Sequence, residues 1–323
     1  MPPSQMTAGI VSSESILRGV RVIDGGLATE LQYRGARIDG PLWSAHVLED
    51  EPEKLAAVHR AYIEAGAQCI ATASYQVSRM GYAECGYAPE RADAALLRSV
   101  AIAHAVAAEF PSRRIVIAAS LGPYGAALHN GAEYHGIYDC SHADLVRFHR
   151  QRIEVLAGAT RTQPPDLLAF ETIPSLDEAR AIAEALAPWP ELPIWISFSC
   201  RDNAHVSHGE PVTECAAFAA SLPQTAAVGV NCVPPSWIPQ LVAPLRAAST
   251  KPVLVYPNSG EIWDAEHRCW TGSTDPAHFG ASAEAWFSAG AAIVGGCCRT
   301  RPEHIRQVAE SASAQFPINR GAA

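Results

Sequence analysis

The chain has 323 residues, of which 48% are hydrophobic, 18% charged and 7% aromatic, and its formal net charge is -9. This composition is ordinary for a soluble globular protein, and it excludes the basic surface that binds nucleic acid. No apolar run reaches the roughly 20 residues that cross a bilayer, and the first residues lack a secretory leader pattern, so we expect no membrane role. Nine cysteines, an odd number spread along the chain, indicate the reducing cytoplasm.

Eight short apolar runs have the character of β-strands, and each is followed by a helical pattern or by a loop and then a helical pattern. Most are continuous without polar alternation, as is typical of parallel strands covered on both faces. Eight such units predict a single (β/α)8 TIM barrel, an α/β fold, over residues 16–314, between flexible segments at 1–15 and 315–323. The runs are residues 20–26, 69–74, 115–121, 166–172, 193–199, 226–232, 252–256 and 291–296.

Local signals predict where helices begin and end. Ser175 and Glu178 form a capping-box pattern after the fourth run, where the next helix should begin. Gly66, Gly158 and Gly290 each follow a helical pattern inside an Ala-Gly-Ala triplet, and we expect each to end its helix in a left-handed conformation.

Two connections, residues 122–140 and 257–280, are unusually long, and both follow the carboxyl ends of strands. Loops of this length in a compact domain are usually functional. We therefore expect both to lie over the C-terminal face of the barrel, where such folds carry their sites.

Polar and ionisable residues stand at seven of the eight predicted strand ends. Three thiols and two carboxylates around one barrel mouth are hard to explain as packing, because buried carboxylates need partners. The candidates at these ends are Asp24, Tyr75, Ser120, Glu171, Asn231, Cys232, Asn258, Cys297 and Cys298.

The sequence Gly295-Gly296-Cys297-Cys298 ends the eighth run. Adjacent side chains of an ideal strand point to opposite faces, so two neighbouring cysteines reach one point only where the strand breaks, and the glycines permit that break. With Cys232, they form three thiolates that suit zinc with its fourth position open. The alternative, buried cysteines acting as small hydrophobic residues, is the interpretation for Cys69, Cys200 and Cys215.

A zinc ion held by three thiolates carries a net charge of -1 and is a poor Lewis acid for hydrolysis. It is better suited to bind a substrate thiol and keep it ionised. Since a free thiol is only slightly ionised at neutral pH, this contributes up to about 2 kcal/mol. Alignment with the electrophile must then supply much of the remaining acceleration.

Two other functions remain open from the residues alone. A barrel zinc hydrolase would activate water, but it needs histidine ligands, and the histidines in loops lack the paired spacing of such sites. A thiol-rich metal buffer or sensor does not need two carboxylates beside its thiolates. The loop histidines are His129, His135, His208 and His267.

Several segments together resemble the homocysteine S-methyltransferase family, close to its stand-alone members that use S-methylmethionine or S-adenosylmethionine. The resemblance implies a (β/α)8 barrel and methyl transfer from a sulfonium donor to the thiolate of homocysteine, giving methionine. It also implies one zinc ion, with Cys232, Cys297 and Cys298 as ligands and homocysteine as the fourth. The matching segments are DGGLATEL, PLWSAHVL, AGAQCIATASYQ, SLGPYGA, FETIPS, GVNC, VYPNSGE and GGCCRT.

By the same resemblance, Asp24 and Glu171 bind the amino group of homocysteine. An ammonium compensates two carboxylates that would otherwise raise each other's pKa. Asp24 has an alternative role as a turn residue before Gly25. Ser120 and Asn231 are candidates for the substrate's carboxylate or amine, with local capping as the alternative.

The methyl donor is expected to be a free small molecule, because the chain has room for one barrel only. Trp43 and Tyr75 could offer aromatic faces to a sulfonium cation, with plain packing as the alternative. Glu261 is a candidate for the donor's amino group, and Asn258 completes the predicted substrate site. The partners are thus two small molecules, and we expect a monomer.

One departure from the family pattern is an insertion at residues 160–165, which lengthens a loop on the face away from the chemistry. Cys140 and Cys269 are extra thiols in loops, and we interpret both as incidental to the metal.

Overall fold

The computed structural model describes residues 13–38, 42, 46–158, 163–264, 269–272 and 275–317. For residues 13–14, 262–264 and 269–270 the structure describes the backbone but not the side chains. Across the described residues, no helix combines the length and apolar character needed to cross a membrane.

Strands and helices alternate along most of the chain. The strands are β1 Cys69–Ala71, β2 Val116–Leu121, β3 Leu167–Ile173, β4 Ile194–Phe198, β5 Thr225–Asn231, β6 Val253–Tyr256, β7 Ile262–Asp264, β8 Cys269–Thr271 and β9 Ile293–Val294. The helices are α1 Ser13–Ile16, α2 Leu27–Tyr33, α3 Val47–Asp50, α4 Pro52–Glu64, α5 Arg79–Glu84, α6 Pro89–Ala107, α7 Tyr124–Ala127, α8 His142–Ala157, α9 Leu176–Leu186, α10 Val212–Ser221, α11 Ile238–Ala248, α12 Pro276–Ala289 and α13 Pro302–Gln315. Short 3-10 helices cover Ala132–Tyr134 and Pro235–Trp237.

The main sheet is parallel and closes on itself. Seven strands pair in the order β1-β2-β3-β4-β5-β6-β9. Val22 then bridges Val294 of β9, and Ile23 bridges Cys69 of β1, so this segment fills the eighth position. The predicted TIM barrel is confirmed.

The first barrel position is shorter than the predicted run of residues 20–26. The backbone N–H of Asp24 still donates to the carbonyl of Cys69, at 3.1 Å. The next contact differs, because the carboxylate of Asp24 accepts from the N–H of Ala71 at 2.8 Å. A side chain thereby replaces the backbone acceptor, and regular pairing ends there.

Trp195 is the largest side chain of the barrel interior. Trp195 of β4 is fully buried in a cluster with small residues from the neighbouring strands, including Ala118 and Ala169. The ring of Tyr256 packs edge-on against Trp195, with ring centroids 6.3 Å apart. The small residues leave room for the indole, and branched side chains such as Leu254 pack in the same cluster.

The helix signals were partly right. Gly66 and Gly290 have φ of 115° and 111°, which confirms their left-handed conformation. Gly158 has φ of -53°, so that prediction was wrong and α8 ends without a left-handed residue. Ser175 caps α9 by accepting from the N–H of Glu178, but the Glu178 carboxylate contacts other partners, so only half of the predicted capping box forms.

The two long connections contain regular structure. Residues 122–140 include α7 and the 3-10 helix Ala132–Tyr134. Residues 257–280 include an antiparallel hairpin of β7 and β8, and α12 already begins at Pro276. The side chain of Asp275 caps that helix by accepting from Ala277 N–H, so the second loop is shorter than predicted.

Candidate metal and substrate site

Three cysteine sulfurs meet at the carboxyl end of the barrel. The Sγ atoms of Cys232, Cys297 and Cys298 all lie within 4.8 Å of one another, and those of Cys232 and Cys298 are 3.6 Å apart. A tetrahedral zinc site with Zn–S bonds of 2.3 Å separates its sulfurs by about 3.8 Å. The spacing and the donor type therefore fit zinc.

Backbone geometry brings the cysteines together. Cys232 directly follows β5 and has φ of 56°, a left-handed conformation that turns the chain at this point. On the facing segment, the N–H of Cys297 donates to the carbonyl of Pro257 at 2.8 Å. The N–H of Cys298 donates to Oδ1 of Asn258 at 3.1 Å. The Asn258 side chain thus holds the cysteine backbone in place.

The strand breaks at the two glycines before the cysteines, as predicted, since β9 ends at Val294. Neither takes a positive φ, so they do not break the strand through left-handed geometry. They are needed for close packing: a Cβ on Gly295 would lie 2.2 Å from Cγ1 of Ile23, and one on Gly296 would lie 2.3 Å from Oγ1 of Thr300.

The three thiols influence one another's ionisation. Hydrogen bonds from Cys297 and Cys298 lower the pKa of Cys232 well below its ordinary value. The hydrogen bonds to Cys232 raise the pKa of both Cys297 and Cys298. Ionisation of one thiol therefore holds back that of the others, and a bound cation would favour all three thiolates by its positive charge.

Two buried carboxyl groups lie beside this cluster. Burial raises the pKa of Glu171 to about 7. Hydrogen bonds from Ser120 and Tyr256 lower this pKa, but burial has the larger effect. Burial also raises the pKa of Asp24 well above its ordinary value, and the charge of Glu171 adds to the rise. The two carboxyl groups thus repel each other in a buried place that favours a cation between them.

Asn231 is fully engaged in the structure. Its Oδ1 accepts from the N–H of Thr172 at 2.8 Å and from Oγ of Ser197 at 2.9 Å. Its Nδ2 donates to Oγ1 of Thr172 at 2.8 Å and lies 3.9 Å from Sγ of Cys297. Thr172 has φ of 62°, so these bonds support a strained backbone directly after Glu171.

The aromatic candidates have different outcomes. Tyr75 is half-buried, and burial raises the pKa of its phenol, with a further rise from the charge of Glu133. Gly122 packs against this ring, since a Cβ there would lie 2.8 Å from the ring carbons. Trp43 lies outside the described residues, so its role stays a prediction.

Glu261 already has a cationic partner within the chain. Its Oε2 lies 3.0 Å from Nε of Arg299, one residue after Cys298. Its Oε2 also accepts from Oγ of Ser259 at 3.1 Å. This pairing weakens its candidacy for the donor's amino group, because its charge is compensated.

The remaining cysteines are placed as expected from their sequence setting. Cys69 and Cys215 are fully buried, and Cys200 is half-buried against the core. Burial raises the pKa of Cys215 to about 12, as expected for an unreactive thiol. Cys140 is a half-buried thiol packed on the core, and the side chain of Cys269 lies outside the described set.

Sequence reasoning missed two residues on the first long loop. Oη of Tyr134 lies 3.3 Å from Sγ of Cys232. Burial raises the pKa of the neighbouring Glu133 carboxyl to about 7, and the charge of Cys232 adds to this rise. The only sequence signal for them was the length of the loop.

Comparisons with known proteins agree along nearly the whole chain. A family model described as homocysteine S-methyltransferase matches residues 21–312. Homocysteine S-methyltransferase YbgG of Bacillus subtilis is 44% identical over 298 residues, covering 89% of this chain and 93% of its own. A selenocysteine Se-methyltransferase of Brassica oleracea is 41% identical, over 90% of this chain and 88% of its own.

Solved structures show the same likeness. The homocysteine methyltransferase MmuM from Escherichia coli, in an oxidized form, superposes with a TM-score of 0.81 at 37% identity, covering 91% of this chain and 98% of its own. A metallated form of MmuM gives a TM-score of 0.78 at 35% identity, covering 91% and 99%.

Proposed function

The chain belongs to the homocysteine S-methyltransferase family and transfers a methyl group to homocysteine, and we propose that it uses one zinc ion and a sulfonium donor. The proposed donor is S-methylmethionine or S-adenosylmethionine, and the product is methionine. The observation that carries the proposal is the meeting of three cysteine sulfurs within 4.8 Å at the barrel mouth.

The residues that would hold the zinc are Cys232, Cys297 and Cys298. When bound by three thiolates, zinc lowers the pKa of a substrate thiol and keeps it ionised at neutral pH. The metallated form of the MmuM relative supports a metal in this family. A reducing compartment such as the cytoplasm goes with this proposal, because the cysteines must remain thiolates to bind the ion.

The residues that would hold homocysteine are the two buried acids. Asp24 and Glu171 would bind its ammonium, and this cation would favour both carboxylates in a site where burial raises their pKa values. Ser120 donates a hydrogen bond to Glu171, so we assign it to orienting that carboxylate. Asn231 and Asn258 would act through the backbone of Thr172 and Cys298.

Methyl transfer is then a displacement at carbon. The homocysteine thiol loses its proton to solvent, and the sulfur attacks the methyl carbon of the donor. A new C–S bond forms while the bond to the sulfonium sulfur breaks, and that electron pair leaves with the donor as a neutral thioether. The substrates are two small molecules, and for the assembly we propose a monomer, which size-exclusion chromatography would check.

A direct assay tests the proposal. Zinc-loaded protein given homocysteine and S-methylmethionine should form methionine. Cys297→Ser should lose both the zinc and the activity, whereas Cys85→Ser, at a half-buried thiol outside the cluster, should keep both. Activity that persists after zinc is lost would contradict the proposal. The same assay with S-adenosylmethionine and with betaine ranks the donors.

A further inference from the structure

Glu133 belongs to the 3-10 helix Ala132–Tyr134, which lies over the barrel mouth. Its carbonyl oxygen accepts from Oγ of Ser199 at 3.0 Å, which ties the helix to the segment after β4. The next residue, Tyr134, places its phenol 3.3 Å from Sγ of Cys232. Glu133 is therefore held beside the thiolate cluster by contacts on both sides.

The Glu133 carboxylate lacks a full set of partners. Its own backbone N–H donates to the carboxylate. Its Oε2 is buried, and among the described residues no group donates a hydrogen bond to it. A buried carboxylate oxygen in this state is destabilising unless a cation compensates it.

The charge that acts on Glu133 has the wrong sign to compensate it, because the thiolate of Cys232 adds to the rise in pKa that burial causes. The cationic side chain of Arg299, the residue after Cys298, is paired with Glu261. Under the proposed function, the ammonium of homocysteine is bound by Asp24 and Glu171. The remaining cation that enters the site is the second substrate, the methyl donor.

Aromatic surface lies near the same carboxylate. Burial raises the pKa of Tyr75 and the charge of Glu133 adds to the rise, so the phenol lies within electrostatic reach of this carboxylate. Tyr134 follows Glu133 directly, and its ring reaches the thiolate cluster, with Oη 3.3 Å from Sγ of Cys232. A cation is stabilised both by a carboxylate and by the faces of aromatic rings, and the gain is larger where water is excluded.

We propose that Glu133 is the counter-ion of the cationic methyl donor, with the rings of Tyr75 and Tyr134 beside the same cation. This inference rests on the proposed function and assigns a residue to its second substrate. Because the donor carries both an ammonium and a sulfonium, the contact is with one of these two groups.

Equilibrium binding tests the proposal without turnover. S-methylmethionine is titrated into zinc-loaded protein without homocysteine. Glu133→Gln should raise the Kd of S-methylmethionine by at least about tenfold, because the cation of the donor loses its buried counter-ion. Zinc content and the Kd of homocysteine should stay unchanged, which shows that the variant is folded. The control Glu214→Gln removes an exposed carboxylate of α10, away from the site, and should leave the donor Kd within about twofold.

A neutral isostere identifies the group that Glu133 contacts. In 2-amino-5-methylhexanoate a CH replaces the sulfonium sulfur, and the ammonium is kept. Weaker binding of S-methylmethionine alone assigns Glu133 to the sulfonium, and equal weakening of both ligands assigns it to the ammonium. An unchanged Kd for both ligands would overturn the proposal. Such a result would be distinct from failure of the proposed function, which would appear as absent methionine formation by the unmodified protein.

Discussion

Oη of Tyr138 lies 2.9 Å from Oε2 of Glu178, and this hydrogen bond joins the loop at residues 122–140 to helix α9. Oε1 of the same carboxylate accepts from the N–H of Tyr124 at 2.6 Å and from Nε2 of His149 at 3.0 Å. Arg152 donates to Nδ1 of His149 at 2.9 Å, which places the imidazole proton on Nε2. Two elements of the loop are thus anchored to one buried carboxylate.

Tyr138→Phe tests this anchor. The change removes one donor from a buried carboxylate, so the free energy of unfolding should fall by about 1–3 kcal/mol. The KM for the methyl donor should rise, because the same loop carries Glu133, while zinc content stays at the unmodified level. Urea denaturation and steady-state kinetics measure both effects. Tyr87→Phe, at a ring that lies against Arg91 near the surface, should change neither; an equal effect of both variants would contradict the anchor.

The raised pKa of Glu171 makes the stability of the protein depend on pH. Its pKa is about 7 in the folded protein and 4.5 ordinarily. Between pH 4.5 and about 7 the folded state therefore binds more protons than the unfolded state. The free energy of unfolding should fall by about 3 kcal/mol as the pH rises through this window. Denaturation at a series of pH values should show this fall and a flatter curve for Glu171→Gln. Glu214→Gln, at an exposed position of α10, should keep the unmodified slope, and a fall that survives in Glu171→Gln would assign the effect elsewhere.

Gly296→Ala should disturb the metal site through packing. The new Cβ would lie 2.3 Å from Oγ1 of Thr300, a residue whose hydroxyl also binds the N–H of Gly26 and the carbonyl of Cys297. We expect a loss of about 1–3 kcal/mol in stability and lower zinc content, measured by denaturation and metal analysis. Gly158→Ala is the matched control, since its Cβ would make only ordinary contacts, the nearest at 3.5 Å. Full zinc content in Gly296→Ala would show that the segment can shift without cost.

Asn231→Ala should act mainly on stability. It leaves the N–H of Thr172 without its acceptor in a buried place, and we expect a loss of about 3 kcal/mol in the free energy of unfolding. Thermal or urea denaturation measures this. Asn130→Ala, at an exposed side chain that accepts from the N–H of Ala132, should cost less, about 1 kcal/mol. Equal losses in the two variants would contradict the bracing role of Asn231.

Much of the architecture and the thiolate cluster could be predicted from the chain alone. Apolar runs of parallel-strand character set the barrel, and Cys232, Cys297 and Cys298 each follow such a run, so their convergence follows from the rule that the carboxyl ends of barrel strands meet at one face. The first and last residues of the strands were harder to predict from the sequence. The first barrel position is shortened by the Asp24 side chain, and such a contact with Ala71 depends on a neighbour 47 residues away.

The sequence by itself determined the barrel and the cysteines at its mouth, because periodicity, strand-end position and residue chemistry are local properties. Only the tertiary structure decided that Glu178 anchors a loop instead of closing a capping box, that Asn231 braces Thr172, and that Tyr134 lies beside Cys232. These partners are distant in the chain. Which groups become buried neighbours depends on how loops fold over the closed barrel, and that depends on packing between elements that no local pattern encodes.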